Sequence, residues 1–120
     1  NPITGIGINN CKYLCNYNEL YKNMMVNYEC ASHPHNIYIQ WLAEGGLIVF
    51  ISFILYLFFL VKFVINNTGD KKYKIISIVI ILMMFWPIMS TGSLIKNWFG
   101  VTTFFIIGLC MCLSKFKNNY

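Results

Sequence analysis

Three long apolar runs constrain this chain more than any other feature of its sequence. They cover residues 47–65, 75–89 and 98–113. As a helix rising about 1.5 Å per residue, the first run would be roughly 28 Å long, which is enough to cross the hydrocarbon core of a bilayer. Hydrophobic residues make up 58% of the chain and charged residues 11%, and soluble domains do not use residues in these proportions. The sequence therefore predicts an integral membrane protein.

The polar segments between the runs divide the chain into alternating spans and loops. We expect an all-α integral membrane fold, in which three transmembrane helices follow a periplasmic loop. The expected parts are a periplasmic loop (1–33), an interfacial helix running into a transmembrane helix (34–65), a cytoplasmic loop (66–74), a transmembrane helix (75–91), a periplasmic turn (92–97), a transmembrane helix (98–114) and a cytoplasmic tail (115–120). Because no insertion signal precedes the first run, we expect upstream spans and a larger polytopic helical bundle.

The lysines indicate how the spans are oriented. The chain has nine lysines, no arginine and a net charge of +5. Most of the lysines lie in or beside the loop at 66–74 and in the tail, and cytoplasmic segments carry such an excess. The polar first third and the turn at 92–97 would then face outward together, away from the cytoplasm. Nucleic acid is not an expected partner, because the aromatic residues lie within the apolar runs and not among the lysines.

The segment before the first run combines a helix-start pattern with a polar stripe. Ser32 can cap a helix, and Pro34 is tolerated in a first helical turn. Asn36, Gln40 and Glu44 recur every four residues, so they would share one face of the helix that follows. We expect this stripe at the membrane interface, just above the hydrocarbon.

Two blocks of residues flank this stripe. The first is Asn1-Pro2-Ile3-Thr4-Gly5-Ile6-Gly7, and the second is the pair His35-Asn36 followed by Gly45-Gly46, where we expect a bend or a close helix contact. Together they resemble the conserved block of the O-antigen ligase and O-antigen polymerase superfamily. In that family a Pro-x-x-Gly-x-Gly entry opens a periplasmic loop, and a His-Asn pair ends it ahead of a glycine-rich membrane helix.

The resemblance is specific around residues 33–48 and departs from the family in two places. The family usually has a second glycine three residues after the first, where this chain has Val49. Family members also carry arginines proposed to grip the lipid-linked diphosphate, and this chain has none. We therefore expect such arginines upstream of Asn1.

The resemblance implies transfer of glycan from an undecaprenyl-diphosphate carrier to a lipid A core sugar or to a growing polysaccharide. His35 would be the general base, because a neutral imidazole with a reference pKa of about 6.5 can accept the proton of a sugar hydroxyl. Asn36 would position it, and Gln40, Glu44 and Lys96 would help to bind or position substrate. No cofactor and no metal is expected. The expected partners are the carrier-linked glycan, its acceptor and membrane lipid.

Other interpretations remain open. His33, Gln40 and Glu44 could simply face water at a helix start, and Lys96 could anchor a span end at the headgroups. The chain could also be a non-enzymatic component of polysaccharide export or transport, in which the polar stripe lines a substrate path. Ligase and polymerase share the block and are not separated by it.

The cysteines also leave alternatives open. Cys11, Cys15 and Cys30 lie in the polar first third, where one pair could form a disulfide in an oxidising compartment or all three could be unpaired. Zinc is disfavoured, because the ligand spacings of known zinc modules are absent.

Overall fold

A computed structural model of the protein describes residues 1–10, 35–88, 90–95 and 97–114. These residues form three α helices and no strand: α1 is Ile37–Asn67, α2 is Lys71–Met84 and α3 is Asn97–Ser114. The predicted all-α fold is therefore confirmed for the part of the chain that is described.

Gly46 divides α1 into two parts. Its backbone angles, φ 69° and ψ −169°, are not helical, and essentially only glycine adopts them. In a straight helix, Tyr38 and Phe53 would lie about 22 Å apart along the axis, yet their rings are 5.6 Å apart. The chain therefore turns sharply at Gly46, and residues 37–45, here called α1a, fold back against residues 47–67, here called α1b. This turn is the bend that the sequence predicts at Gly45-Gly46.

The N-terminal segment replaces the hydrogen bonds that the helix loses at this break. Its residues Ile6 and Gly7 donate backbone N–H bonds of 3.0 and 2.9 Å to the carbonyls of Ala43 and Glu44. In return, the N–H of Leu47 donates to the Pro2 carbonyl at 3.0 Å. The break thus leaves these backbone groups paired, which a helix interruption within a membrane protein requires.

Glycines on both sides let the two backbones approach this closely. A Cβ added to Gly46 would overlap the Ile3 carbonyl and the Gly5 nitrogen, and one added to Gly5 would overlap the Glu44 carbonyl. Gly5 also has a positive φ of 68°, which residues with a side chain rarely adopt. The two blocks that carry the family resemblance are therefore packed directly against each other.

The ends of the helices differ from those that the sequence predicts. α1 begins at Ile37, after an N-cap at Asn36, and not at residue 34; Ser32 and Pro34 lie outside the described residues. α2 begins at Lys71 because the Asp70 side chain caps it by accepting the Lys72 N–H at 2.7 Å. It ends at Met84, ahead of a proline that has no N–H to continue a helix.

The three helices pack along one seam and leave broad apolar faces outward. Buried apolar side chains from all of them form the core, namely Ile37, Phe53, Leu60, Val64, Ile81, Phe85 and Ile107. Many large apolar side chains are exposed on the opposite faces of α1b and α3, among them Phe58, Phe59, Phe104 and Phe105. Water would not favour such a surface.

Within the described residues, α1 is the one helix long and apolar enough to cross a membrane, and Trp98–Ser114 is a shorter apolar helix. Only 17% of the most apolar window of α1 is buried, whereas the core helix of a soluble protein would be mostly buried. Residues 47–67 alone would be about 31 Å long. A candidate membrane span therefore survives the division of α1 at Gly46.

We predict that Gly46→Ala destabilises the protein by more than about 1–3 kcal/mol, since it combines a strained backbone with overlap against the N-terminal segment. Gly108→Ala is the matched control, because nothing lies within 4 Å of a Cβ there and alanine favours a helix. Thermal unfolding in detergent micelles measures both. Equal midpoints for the two variants would show that the break at Gly46 is not required.

Candidate functional site

Asn36 caps the start of α1a and also links it to the residues that follow α2. Its Oδ1 accepts the backbone N–H groups of Tyr38 and Ile39 at 2.9 and 3.2 Å, which satisfies two donors that the helix start leaves free. Its Nδ2 donates to the carbonyl of Pro87 at 2.6 Å. Both ends of the amide are therefore engaged, so Asn36 positions its neighbour His35 through the backbone and leaves little capacity to bind substrate.

The described residues between α2 and α3, 85–88 and 90–95, are here called the α2–α3 connection. Further hydrogen bonds join this connection to the start of α1a. The Tyr38 hydroxyl donates to the Phe85 carbonyl at 2.6 Å, and the Thr91 N–H donates to the His35 carbonyl at 2.7 Å. These contacts bring the start of α1a and the α2–α3 connection to the same end of the helices. Alternating spans predict that these two segments lie on one side of the membrane.

The polar stripe faces this connection and not water. Gln40 and Glu44 are only 2% and 1% exposed, so the alternative in which these two residues simply face water does not hold. The Gln40 amide donates to Ser93 Oγ at 2.7 Å and to Glu44 Oε2 at 3.2 Å. The physical reason is the turn at Gly46. It folds α1a back, so that Gln40 and Glu44 are buried against the α2–α3 connection.

Two oxygens of this buried region have no hydrogen-bond partner in the described part of the chain. They are Glu44 Oε1 and the hydroxyl of Thr91, which is 4% exposed. A buried polar group without a partner costs stability, and such groups in native structures call for a specific explanation. The other carboxylate oxygen of Glu44 accepts from the Gln40 amide, and the backbone carbonyl of Glu44 accepts the Gly7 N–H.

His35 lies at the open end of this arrangement. Its side chain is exposed, while its carbonyl is held by Thr91. An exposed imidazole on a fixed backbone can accept a proton from a hydroxyl group brought to the surface. His33 and Lys96 lie outside the described residues, so the structure brings together His35, Asn36, Gln40 and Glu44.

An apolar groove lies near the polar cluster formed by Gln40, Glu44 and Ser93. Three aromatic rings surround Phe53, those of Tyr38, Trp41 and Phe85, with centroids 5.6, 5.9 and 6.0 Å away. Beside them is a groove of about 200 Å³, whose lining includes Trp41, Phe53, Phe85, Leu94 and Phe104. Trp41 follows Gln40 in the chain and Leu94 follows Ser93, so two residues of the groove lining are chain neighbours of the buried polar pair.

Sequence reasoning missed the contribution of the α2–α3 connection. Two residues of the stripe donate to this connection, Gln40 to Ser93 and Asn36 to the Pro87 carbonyl, and Tyr38 donates to the Phe85 carbonyl. By itself, the sequence of the segment at 90–93 indicates only a turn. The polar composition of this segment between two apolar runs was the available signal. It did not identify the partner, because that depends on how α1a folds back.

Metal ligands and cysteines add nothing to this site. In the ranges that the structure describes, no group of three or more His, Cys, Asp or Glu residues could hold a metal ion. Cys110 and Cys112 are free thiols in α3. Cys11, Cys15 and Cys30, for which the sequence leaves a disulfide or unpaired thiols open, lie outside the described residues.

Comparison of the chain with protein-family models, with curated proteins and with solved structures finds no match. A function for the chain must therefore follow from its residues and their geometry.

We predict that Asn36→Ala lowers the free energy of unfolding by about 1 kcal/mol or more, through loss of the cap and of the bond to Pro87. Asn36→Ser keeps a capping oxygen and should fall between the wild type and the alanine variant. Asn66→Ala, at an exposed position near the end of α1, should stay within about 0.5 kcal/mol of the wild type. Denaturant titration in micelles checks this order, and equal losses at positions 36 and 66 would contradict it.

Proposed function

We propose that the chain is part of a bacterial inner-membrane glycan transferase of the O-antigen ligase and polymerase type. It would move glycan from an undecaprenyl-diphosphate carrier to a lipid A core sugar or to a growing polysaccharide chain. The reaction class would be inverting and independent of metal, as the resemblance implies.

One observation supports this proposal most directly. The two blocks that resemble the family, residues 1–7 and 35–46, are far apart in sequence but exchange backbone hydrogen bonds at Gly46. A chance resemblance of two short motifs does not require that they meet. The segment 35–46 carries an exposed His35 at its start and, further along, Trp41 of an apolar groove, and an amphipathic lipid-linked sugar needs polar and apolar surroundings.

His35 would act as the general base in this reaction. A sugar hydroxyl is a weak nucleophile, so removal of its proton as it attacks the anomeric carbon lowers the barrier. The diphosphate leaves with growing negative charge and needs fixed cations nearby. Lys62, Lys71, Lys72 and Lys74 lie toward the other end of the helices, about 20 Å from the α2–α3 connection along α2. Lys96 or residues elsewhere in the protein would therefore supply the cations.

The proposed arrangement in the membrane has three spans, with His35 facing the periplasm. α1b would form the first span and α3 the last. α2 alone would be about 21 Å long, so the second crossing would be completed by the non-helical α2–α3 connection. Irregular backbone is tolerated at that depth where protein covers it, and Thr91 and Ser93 are buried.

Export or transport of polysaccharide is the second candidate, and Glu44 is the observation that favours it. Interrupted helices with buried ionisable residues are typical of transporter binding sites. Glu44 is buried beside the interruption of α1 at Gly46 and keeps one unpartnered oxygen. The same pair of features would serve a substrate path through the bundle.

We predict that His35→Ala in the full-length protein lowers glycan transfer by at least about a hundredfold, because a positioned general base contributes about that much or more. His33→Ala is the control and should keep transfer, since the motif does not single it out. Transfer is measured with undecaprenyl-diphosphate-linked glycan in proteoliposomes. Unchanged membrane insertion together with retained transfer in His35→Ala would remove His35 from the reaction.

We also predict which intermediate accumulates when the intact gene is deleted. Complete polymer on its carrier lipid would identify a ligase, and single repeat units on the carrier would identify a polymerase. Carrier-linked material that stays on the cytoplasmic face would instead favour transport. Mass spectrometry of the extracted lipids identifies the intermediate. Labelling of the glycan with a reagent that does not cross the membrane shows on which face it lies.

A further inference from the structure

We infer that Gln40 and Ser93 are positioning residues, which hold the α2–α3 connection against α1a and thereby fix the backbone of His35. The inference rests on the proposed function, in which His35 is the general base. It adds Ser93, which lies outside both resembling blocks, and it gives Gln40 a specific partner.

The hydrogen bonds at Gln40 fix the direction of its amide. The two ends of a glutamine amide have nearly the same shape, so only their partners decide which end points where. Here the two hydrogens of Nε2 go to Glu44 Oε2 at 3.2 Å and to Ser93 Oγ at 2.7 Å. Because a carboxylate can only accept, Glu44 keeps the donor end of Gln40 toward Ser93.

Ser93 passes this constraint to the connection. Its Oγ accepts from Gln40 and also from the N–H of Ile95 at 3.3 Å, so both of its lone pairs are used. It is 3% exposed, and water therefore cannot easily replace either bond. A substitution that removes the hydroxyl would leave the Gln40 donor unpaired in a buried place.

The connection in turn holds His35. Two residues before Ser93, the Thr91 N–H donates to the His35 carbonyl at 2.7 Å, and Pro87 accepts from the Asn36 side chain at 2.6 Å. The bond between Gln40 and Ser93 is a buried hydrogen bond between a side chain of α1a and a side chain of this connection. Loss of this bond weakens the attachment of the segment that carries Thr91, so the backbone of His35 is held less firmly.

Ser93→Ala tests this positioning role, with Ser90→Ala as the matched control. Both serines lie in the α2–α3 connection, but Ser90 is exposed. In the full-length protein in proteoliposomes, with undecaprenyl-diphosphate-linked glycan as donor, Ser93→Ala should lower kcat on the order of tenfold and leave KM for the donor unchanged. The loss is smaller than the roughly hundredfold cost of a 1 Å misplacement, because the bonds to Phe85, Pro87 and Thr91 remain. Ser90→Ala should leave both constants unchanged.

An exchanged pair provides the rescue. Gln40→Glu alone places two carboxylates side by side and should lower kcat. Combined with Glu44→Gln, it restores a donor and acceptor pair, and the Ser93 hydroxyl, which can rotate, donates to residue 40. The double variant should regain most of the kcat lost by Gln40→Glu, and it also decides the matter if Ser93→Ala does not fold.

The outcomes separate this inference from the proposed function. Loss of transfer in His35→Ala with kcat unchanged in Ser93→Ala would overturn the positioning role and leave the function standing. Retained transfer in His35→Ala would overturn the function first. A Ser93→Ala variant that raises KM and keeps kcat, or an exchanged pair no better than Gln40→Glu alone, would also overturn the positioning role.

Discussion

The hydrogen bonds exchanged between residues 1–7 and the break in α1 hold the rest of the structure in place. Gly46 ends the regular helix, and two carbonyls before it and the amides after it lose their helical partners. Within an apolar chain such groups must be paired by protein, and Ile6, Gly7 and Pro2 pair them. Without this exchange, α1 would either continue straight or leave its backbone unsatisfied.

The turn at Gly46 creates the polar site as well as the fold. A straight α1 would carry Asn36, Gln40 and Glu44 far from the end of α2. Folded back, α1a brings Tyr38 and Trp41 onto Phe53 and brings the polar stripe onto the α2–α3 connection. Aromatic contacts and hydrogen bonds therefore both hold α1a in place, and Tyr38 takes part in both.

His35 and Asn36 have separate roles although they form one sequence motif. Asn36 uses both ends of its amide to cap α1a and to bind Pro87, whereas His35 keeps an exposed side chain. The pair therefore joins a hydrogen-bonded backbone to an exposed imidazole, which is the general base in the proposed function. Glu44 is different again, because its side chain is only 1% exposed and one of its carboxylate oxygens accepts from the Gln40 amide.

The sequence by itself determined the helical class, the apolar first span and the bend. A helix pairs the backbone N–H and C=O groups of a long apolar run within the run itself. A glycine pair at the end of a polar stripe marks a place where a helix can turn. The motif also singled out His35 and Asn36. These features depend on local composition and spacing, so they can be read along the chain.

Only the tertiary structure decided which groups meet. The stripe of Gln40 and Glu44 has the spacing of a water-facing helix surface, and it is buried because the turn at Gly46 directs it toward Ser93. Likewise, residues 1–7 have no helical or strand pattern from which their contact with the break in α1 at Gly46 could be predicted. Contacts between segments so distant in sequence depend on the direction of a single backbone turn, and periodicity carries no information about that direction.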